Sequence, residues 1–213
     1  MLNCTNIACL LYYRYLLAEN KFSKVEIFEQ RDTIGGIWTY SPLNVVDNNF
    51  TIPRTEPSHH PDTAVYLDGC NVPKFVSPLY EFLETNIPHT LMNYSDQKFP
   101  QGTSLFPAHN IVKEYLETYA GSLKPVLSLS TQILGVTKIQ NGTKKQWEVE
   151  SLDLISNTKK KSFFDAVLVA SGHYNDPFIP DIPGLSDFNK AYPGSVSHSK
   201  FYRNPLQYKD KVR

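Results

Sequence analysis

The stretch that most constrains this chain runs from Lys24 to Tyr40, KVEIFEQRDTIGGIWTY. Val25, Ile27 and Phe28 supply the β-branched and aromatic residues of a short strand. The strand ends on an acid, Glu29, followed by Gln30. A carboxylate at the tip of the second strand of a β-α-β unit is placed to accept hydrogen bonds from a ribose hydroxyl. Gly35 and Gly36 follow six residues after the acid, then Ile37 and Trp38. Adjacent glycines let the backbone approach a ligand closely, because no Cβ intervenes. Without any ligand, the same residues read as a strand, a Gly-Gly turn and a buried Trp.

The residues before this strand complete half of such a unit. Ile7, Leu10, Leu11, Arg14 and Leu17 recur at near-helical spacing, and Ala18 and Glu19 suit a helix end. A helix entering a parallel strand is expected to follow a buried first strand and a GxGxxG loop, whose N–H groups cradle a pyrophosphate. That glycine loop is absent. Counting back from Leu16 and Leu17, its three positions fall at about Cys4, Asn6 and Cys9. The strand before them is expected ahead of Met1, so a truncated chain is the expectation.

Composition excludes several classes. Lys and Arg number 21 against 21 Asp and Glu, so no field favours nucleic acid or an anionic membrane. Cys4, Cys9 and Cys70 are odd in number and irregularly spaced, with no CxxC pair, which points to a reducing compartment. The apolar run Ile7 to Tyr13 is too short to span a bilayer and is stopped by Arg14. It has no basic segment before it, so a secretory signal is not expected and the four Asn-x-Ser/Thr sequons are expected to be unused. The expected location is cytoplasmic, with the endoplasmic-reticulum surface as the alternative.

Ser41 to Ser77 is rich in Pro, Asn and Asp and reads as a long loop. His59 and His60 are adjacent without further ligands at metal spacing, so no metal site is expected. Leu79, Phe82 and Leu83 suggest one face of a helix ended by Pro88, with Thr85 and Asn86 at its C-terminal end, where Asn is a common cap. Ile111, Val112, Tyr115, Leu116 and Tyr119 form an amphipathic helix. From Val126 to Ala170 the pattern is strand-rich, with turns at Asn141-Gly142 and Asn157-Thr158. Its last member, Asp165 to Ala170, reads as a parallel core strand. A small-residue turn at Ser171 and Gly172 then leads into a Pro-rich linker.

Three motifs carry a resemblance. The acid followed by Gly-Gly-x-Trp is the first. Residues 79–100 fit LYxxLxTNxPxxLMxYxDxxFP, and residues 106–120 fit FPxHxxVxxYLxxYA. Residues 192–202 fit FxGxxxHxxx(Y/F), with Tyr192 in place of the first Phe. Together with the PxxPxIPG run at 177–184, these segments resemble the flavin-containing monooxygenases, with a lean towards fungal-type members. The ketone-oxidising Baeyer–Villiger relatives normally end the last motif in Trp, and Tyr202 stands there.

The resemblance implies an α/β fold: a partial Rossmann-like FAD-binding domain of the two-dinucleotide-binding flavoprotein type, with an inserted antiparallel β-sheet. It divides the chain into residues 1–176, an incomplete FAD-binding domain without its first strand and phosphate loop, and residues 177–213, a linker and the start of a truncated NADPH-binding domain. It implies FAD and NADPH as cofactors, O2 as co-substrate, and oxygenation of a small amine, thiol or sulfide through a flavin C4a-hydroperoxide. FAD contacts then fall on Glu29, Gln30, Gly36, Ile37, Trp38, Thr85, Ile133, Ser171 and Gly172. Asn86 is the catalytic candidate beside the flavin ring. His198 is either structural or faces NADP. A homodimer is compatible with the resemblance. The rival expectations are a non-catalytic fragment unable to hold cofactor alone, and one half of a split enzyme.

Overall fold

The computed structural model describes residues 2–3, 7–43, 51–67, 69–121, 126–172 and 175–210. Two sheets organise them. The first is parallel and short: β1 (Leu2–Asn3), β2 (Ile27–Phe28), β3 (Leu127–Ser128) and β7 (Leu168–Val169), in the order β3-β2-β1-β7. The register pairs Leu2 with both Ile27 and Leu168, and Ile27 with Leu127. The first strand is therefore not missing. Leu2–Asn3 is the central member expected ahead of Met1, and two residues were too few to show a pattern in the sequence. Of the expected glycine-loop positions, Cys4 and Asn6 lie outside the described residues, and Cys9 falls in α1 (Ile7–Glu19).

Helix α1 carries the chain from β1 to β2, the right arrangement for a β-α-β crossover. It ends at Asn20, whose φ of 50° is the left-handed conformation that Asn tolerates at a helix terminus. Its Tyr13 packs with Ile27, Ile34, Tyr119 and Ala120 in the main core cluster. A second cluster, Phe99, Val112, Tyr115 and Leu116, lies along α3 (His109–Tyr119), and Trp38, Met92 and Ile111 pack on it. The amphipathic reading of α3 thus holds.

The second sheet is the expected antiparallel insertion: β4 (Thr131–Asn141), β5 (Lys144–Asp153) and β6 (Thr158–Phe164), in that order. Gly142 at φ 62° makes the β4–β5 turn. The β5–β6 turn is held by Asp153, whose Oδ1 accepts the N–H groups of Ile155 and Ser156, both at 2.9 Å. These bonds hold the Asp153 carboxyl below its ordinary value. The apolar run 163–170 divides at 165–167: β6 ends in the antiparallel sheet, and β7 begins in the parallel one.

The helix expected over Leu79 to Leu83 does not form. Leu83 makes a turn on the Tyr80 carbonyl, Glu84 pairs with Ala108, and Thr85 donates to the Pro107 carbonyl at 3.0 Å. Residues 83–85 spend their backbone groups on 107–109, which a helix would need for itself. Pro88 precedes a short helix instead, α2 (His89–Met92), so Asn86 is not a helix C-cap. The exposures show the broken face: Leu79 is 5% exposed and Phe82 69%.

Three tyrosines tie the clusters together. The Tyr94 ring lies 4.1 Å from Tyr119 and 5.5 Å from Tyr115. Tyr115 donates to the Gln97 carbonyl at 2.8 Å and accepts the Tyr94 N–H at 2.8 Å. The Tyr94 hydroxyl is buried without a hydrogen-bond partner among the described residues, and burial pushes its acidity well down. An unmet buried hydroxyl costs about 1–3 kcal/mol. Tyr94→Phe is therefore expected to stabilise the fold by about 1 kcal/mol, whereas Tyr115→Phe loses about 2 kcal/mol. Urea denaturation midpoints of the two variants check the opposite signs.

Candidate functional site

The end of the acid-tipped strand is held along its β3 side. Glu29 donates its N–H to the Ser128 carbonyl at 3.0 Å and accepts Thr131 N–H at 2.8 Å, while Arg31 accepts Ser130 N–H at 2.9 Å. The Glu29 side chain is 3% exposed, and its Oε1 accepts the Arg31 N–H at 2.8 Å. Arg31 is buried, donating to the carbonyls of Phe75 (2.9 Å) and Val76 (3.4 Å).

Gln30 enters a polar network. Its Nε2 donates to Asp62 Oδ2 at 3.2 Å, and its Oε1 accepts Gln132 Nε2 at 3.2 Å. Gln132 also reaches the Asp62 carbonyl at 2.8 Å. Asn175 donates to the Asp62 carboxylate, and Lys200 donates to the Asn175 carbonyl. Burial pushes the Lys200 ammonium below its ordinary value, with Asp62 and Asp176 pulling the other way. The network gathers five segments of the chain beside the acid end of β2.

The Gly-Gly-x-Trp stretch forms a 3-10 turn, Gly36–Trp38. Gly35 has φ 119°, where side chains are strained, and a Cβ there would meet Thr39 Oγ1 at 3.3 Å and Lys113 Cγ at 3.4 Å. Trp38 stands between two clefts. The larger, about 450 Å³, is lined by Arg31, Tyr40, Ser41, Lys74, His109 and Lys113 among others. The smaller, about 330 Å³, is lined by Trp38, Tyr80, Leu83, Glu84, Thr85, Asn86, Ile87 and Met92. Thr85 is buried, its hydroxyl donating to the Ile87 carbonyl at 2.9 Å, while Asn86 is exposed on the cleft wall.

The structure therefore gathers Glu29 with Gln30, and Trp38 with Thr85 and Asn86. Gly36 and Ile37 belong to the same turn as Trp38, and the Ile37 carbonyl accepts the Ser77 hydroxyl at 2.6 Å. Ile133 sits on β4 at a register shift, paired with Ser151. Ile133, Ser171, Gly172 and His198 line neither cleft. His198 caps a 3-10 turn, Ser199–Phe201: its Nδ1 accepts the Lys200 N–H at 3.0 Å. Sequence reasoning missed Asp62, Gln132, Asn175, Lys200 and Arg203. Lys200 lies inside the third motif and Arg203 directly follows it, which was the available signal. Among the described residues, no group of three or more His, Cys, Asp or Glu side chains is placed to hold a metal, and no helix is long and apolar enough to cross a membrane.

Trp38 and Asn86 give the smaller cleft an aromatic ring and a neutral amide, the kinds of group that line small-molecule sites. The model of the flavin-binding monooxygenase-like family matches residues 71–213. The chain belongs to that family. The flavin-containing monooxygenase ustF1 of Aspergillus flavus is 36% identical over 144 residues, covering 63% of this chain and 35% of the relative. The flavin-containing monooxygenase FMO GS-OX5 of Arabidopsis thaliana is 30% identical over 215 residues, covering 96% of this chain and 41% of the relative. The family member described here thus spans well under half the length of those relatives. The fold is shared with the crystal structure of Tmm from Pelagibacter sp. strain HTCC7211 (TM-score 0.70, 19% identity, 97% of this chain and 42% of that one). It is also shared with the flavin-containing monooxygenase from Stenotrophomonas maltophilia (TM-score 0.65, 15% identity, 97% of this chain and 47% of that one). These likenesses support the partial FAD-binding α/β fold with its antiparallel insertion.

His198 gives this member of the family a pH signature. Desolvation first, then the Lys200 charge, lower its pKa below the ordinary histidine value. The unfolded chain then binds the proton more readily than the folded one, so stability falls as pH drops through the histidine range. His198→Asn keeps a cap acceptor but cannot titrate. The stability difference between wild type and this variant is expected to shift against wild type between about pH 7 and pH 5, as read from urea midpoints across that range.

Proposed function

We propose that this chain holds FAD and forms part of an NADPH- and O2-dependent monooxygenase acting on soft nitrogen or sulfur nucleophiles. The observation that carries the reading is the one cleft lined both by Trp38 of the Gly-Gly-x-Trp turn and by Thr85 and Asn86. Residues 1–176 are read as the FAD-holding part, and 177–213 as the linker towards a nicotinamide domain. FAD, once reduced by NADPH, supplies the oxygen activation. The chain's own residues bind, orient and keep dry.

Glu29 is the ribose acceptor in this reading. Its backbone is fixed by Ser128 and Thr131, and its carboxylate is oriented by the Arg31 N–H. Gln30 stands next to it, oriented by Asp62 and Gln132. Gly36 and Ile37 bring backbone to the cofactor, and Trp38 gives the ring an apolar wall. Asn86 would present a neutral amide N–H to the flavin side of the cleft, a hydrogen-bond donor too weakly acidic to deliver a proton. Ser171 and Gly172 follow β7 and are read as a second place of backbone approach; Ile133 is assigned to the adenine side. His198 acts here through its cap and not as an acid or base. An amine, thiol or sulfide has the lone pair such chemistry needs, and no nucleophilic side chain is required of the protein.

The direct test is thermal unfolding of the purified chain with and without FAD, together with the visible spectrum after desalting. FAD at 100-fold its dissociation constant is expected to stabilise by about 2.7 kcal/mol. Glu29→Gln is expected to weaken FAD binding about tenfold, one lost charge-assisted hydrogen bond. A colourless chain that FAD leaves unshifted would favour a non-catalytic piece whose likeness records ancestry. In a reconstituted, NADPH-oxidising enzyme, Asn86→Ser is expected to raise hydrogen peroxide release per NADPH consumed. Unchanged coupling would remove Asn86 from the site.

A further inference from the structure

Arg203 has a place that neither the family likeness nor the cofactor reading assigns. It is 1% exposed, and it makes no ion pair among the described residues. Among the described residues, its side-chain hydrogen bonds all go to backbone carbonyls. Nε donates to Leu43 at 3.3 Å, and Nη1 to Leu79 (3.2 Å), Lys200 (3.0 Å) and Tyr202 (2.8 Å). Nη2 is buried without a partner among the described residues. A buried guanidinium with neither a carboxylate nor a full set of acceptors is a costly way to fill space. An apolar side chain would pack there with less penalty, so what the fork holds together is the informative point.

The fork joins two chain segments that lead to the lining of one cleft. Leu43 lies five residues after Trp38, the last residue of the Gly36–Trp38 turn. Leu79 begins the stretch that turns at Tyr80 to Leu83 and reaches Thr85 and Asn86. Trp38 and Asn86 line the same cleft. The second wall is pinned to Arg203 by more than the guanidinium. Glu81 donates its N–H to the Arg203 carbonyl at 2.8 Å, Asn204 Nδ2 donates to Glu81 Oε2 at 3.0 Å, and the Tyr202 ring lies 5.6 Å from Tyr80. On either side of Asn86 the same segment is fixed again, where Thr85 meets Pro107 and His89 meets Leu105.

We propose that Arg203 is a positioning residue that sets the separation of the Trp38 wall from the Thr85–Asn86 wall, and so the fit of the ring that the cleft receives. The cofactor half of this statement rests on the FAD reading above; the wall-positioning half does not. Arginine suits the task because its planar fork spreads donors towards two chain segments at once. A lysine ammonium presents its donors from a single point.

The experiment compares the 213-residue wild-type chain with Arg203→Met, Arg203→Lys and a surface control, Lys190→Ala, by amide hydrogen exchange and FAD titration. Exchange at Glu81, Leu83 and Thr85 is expected to rise at least tenfold in Arg203→Met, while the β4–β5 ladder stays as protected as in wild type. Arg203→Lys, which keeps the charge and serves as the variant that folds if Met does not, is expected to raise exchange at the same amides to a lesser degree. FAD affinity is expected to fall about tenfold in Arg203→Met and to stay unchanged in Lys190→Ala. A uniform rise over the whole chain, or no rise at residues 81–85, overturns the proposal, because the role would then be general stability or none. Local loosening with FAD affinity unchanged overturns it as well. If wild type takes no FAD, the cofactor reading falls by itself, and the exchange pattern alone decides whether Arg203 positions the wall.

Discussion

The backbone of Glu29 to Arg31 is the joint on which the two sheets hang. Glu29 is the first residue past β2, yet it continues the ladder with the neighbouring segment, donating to Ser128 and receiving the N–H of Thr131. Ser130, at φ 48°, turns the chain between those two contacts and donates to the Arg31 carbonyl. The parallel sheet ends and the antiparallel sheet begins within this corner. A two-residue rung contributes little pairing by itself, and β2 keeps its place because Glu29 and Arg31 extend the bonding to residues 128–131. That corner also fixes the acid at the strand tip, and the position of the site is therefore a property of the sheet junction and not of the Glu29 side chain alone.

Two buried cations extend the same logic. Arg31 and Arg203 both place guanidinium groups in the interior and direct them to carbonyls of irregular segments. Among the described residues between 41 and 88 the strand pairing is confined to isolated bridges, so the other carbonyls there need donors from elsewhere. A guanidinium supplies five N–H donors and stays charged at any ordinary pH, which suits it to satisfy several carbonyls in one place. The aromatic cluster around Tyr94, Tyr115 and Tyr119 then gives the packed base against which these loops are anchored.

The Gly-Gly turn, α3 and the antiparallel insertion were legible in the sequence because each rests on local chemistry. Gly35 carries a φ that only glycine adopts readily, Val112, Tyr115, Leu116 and Tyr119 repeat at helical spacing, and Asn141-Gly142 is a hairpin turn in itself. β1 was not legible, since Leu2–Asn3 earns its assignment only from partners 25 and 166 residues away in the register. The helix over residues 79–83 was read from apolar spacing, and the tertiary pairing of 83–85 with 107–109 overrode it. The Gln30–Asp62–Gln132–Asn175–Lys200 network was invisible for the same reason: its members share no spacing, only a destination. Trp38, Thr85 and Asn86 were legible as separate motifs, but not as the lining of one cleft.

The third motif takes on a mechanical meaning from these contacts. Lys200 reaches the Asn175 carbonyl and, through Asn175, the Asp62 that orients Gln30 at the acid end of β2. Arg203, three residues later, reaches the carbonyls of Leu43 and Leu79, on the segments that connect to Trp38 and to Thr85 and Asn86. His198 holds both in register by capping the turn from which they project, with a neutral ring whose Nδ1 lone pair is spent on the Lys200 N–H. A long, thin ligand has two ends, and a fold that fixed only one of them would leave the reacting end to wander by the flexibility of everything between. A single short segment bonded at both ends converts two local fits into one distance. Its glycine, histidine and terminal aromatic then need fixed intervals for a geometric reason: Gly194 turns the chain at φ 80°, His198 caps, and Tyr202 packs on Tyr80, each one stage of the same span.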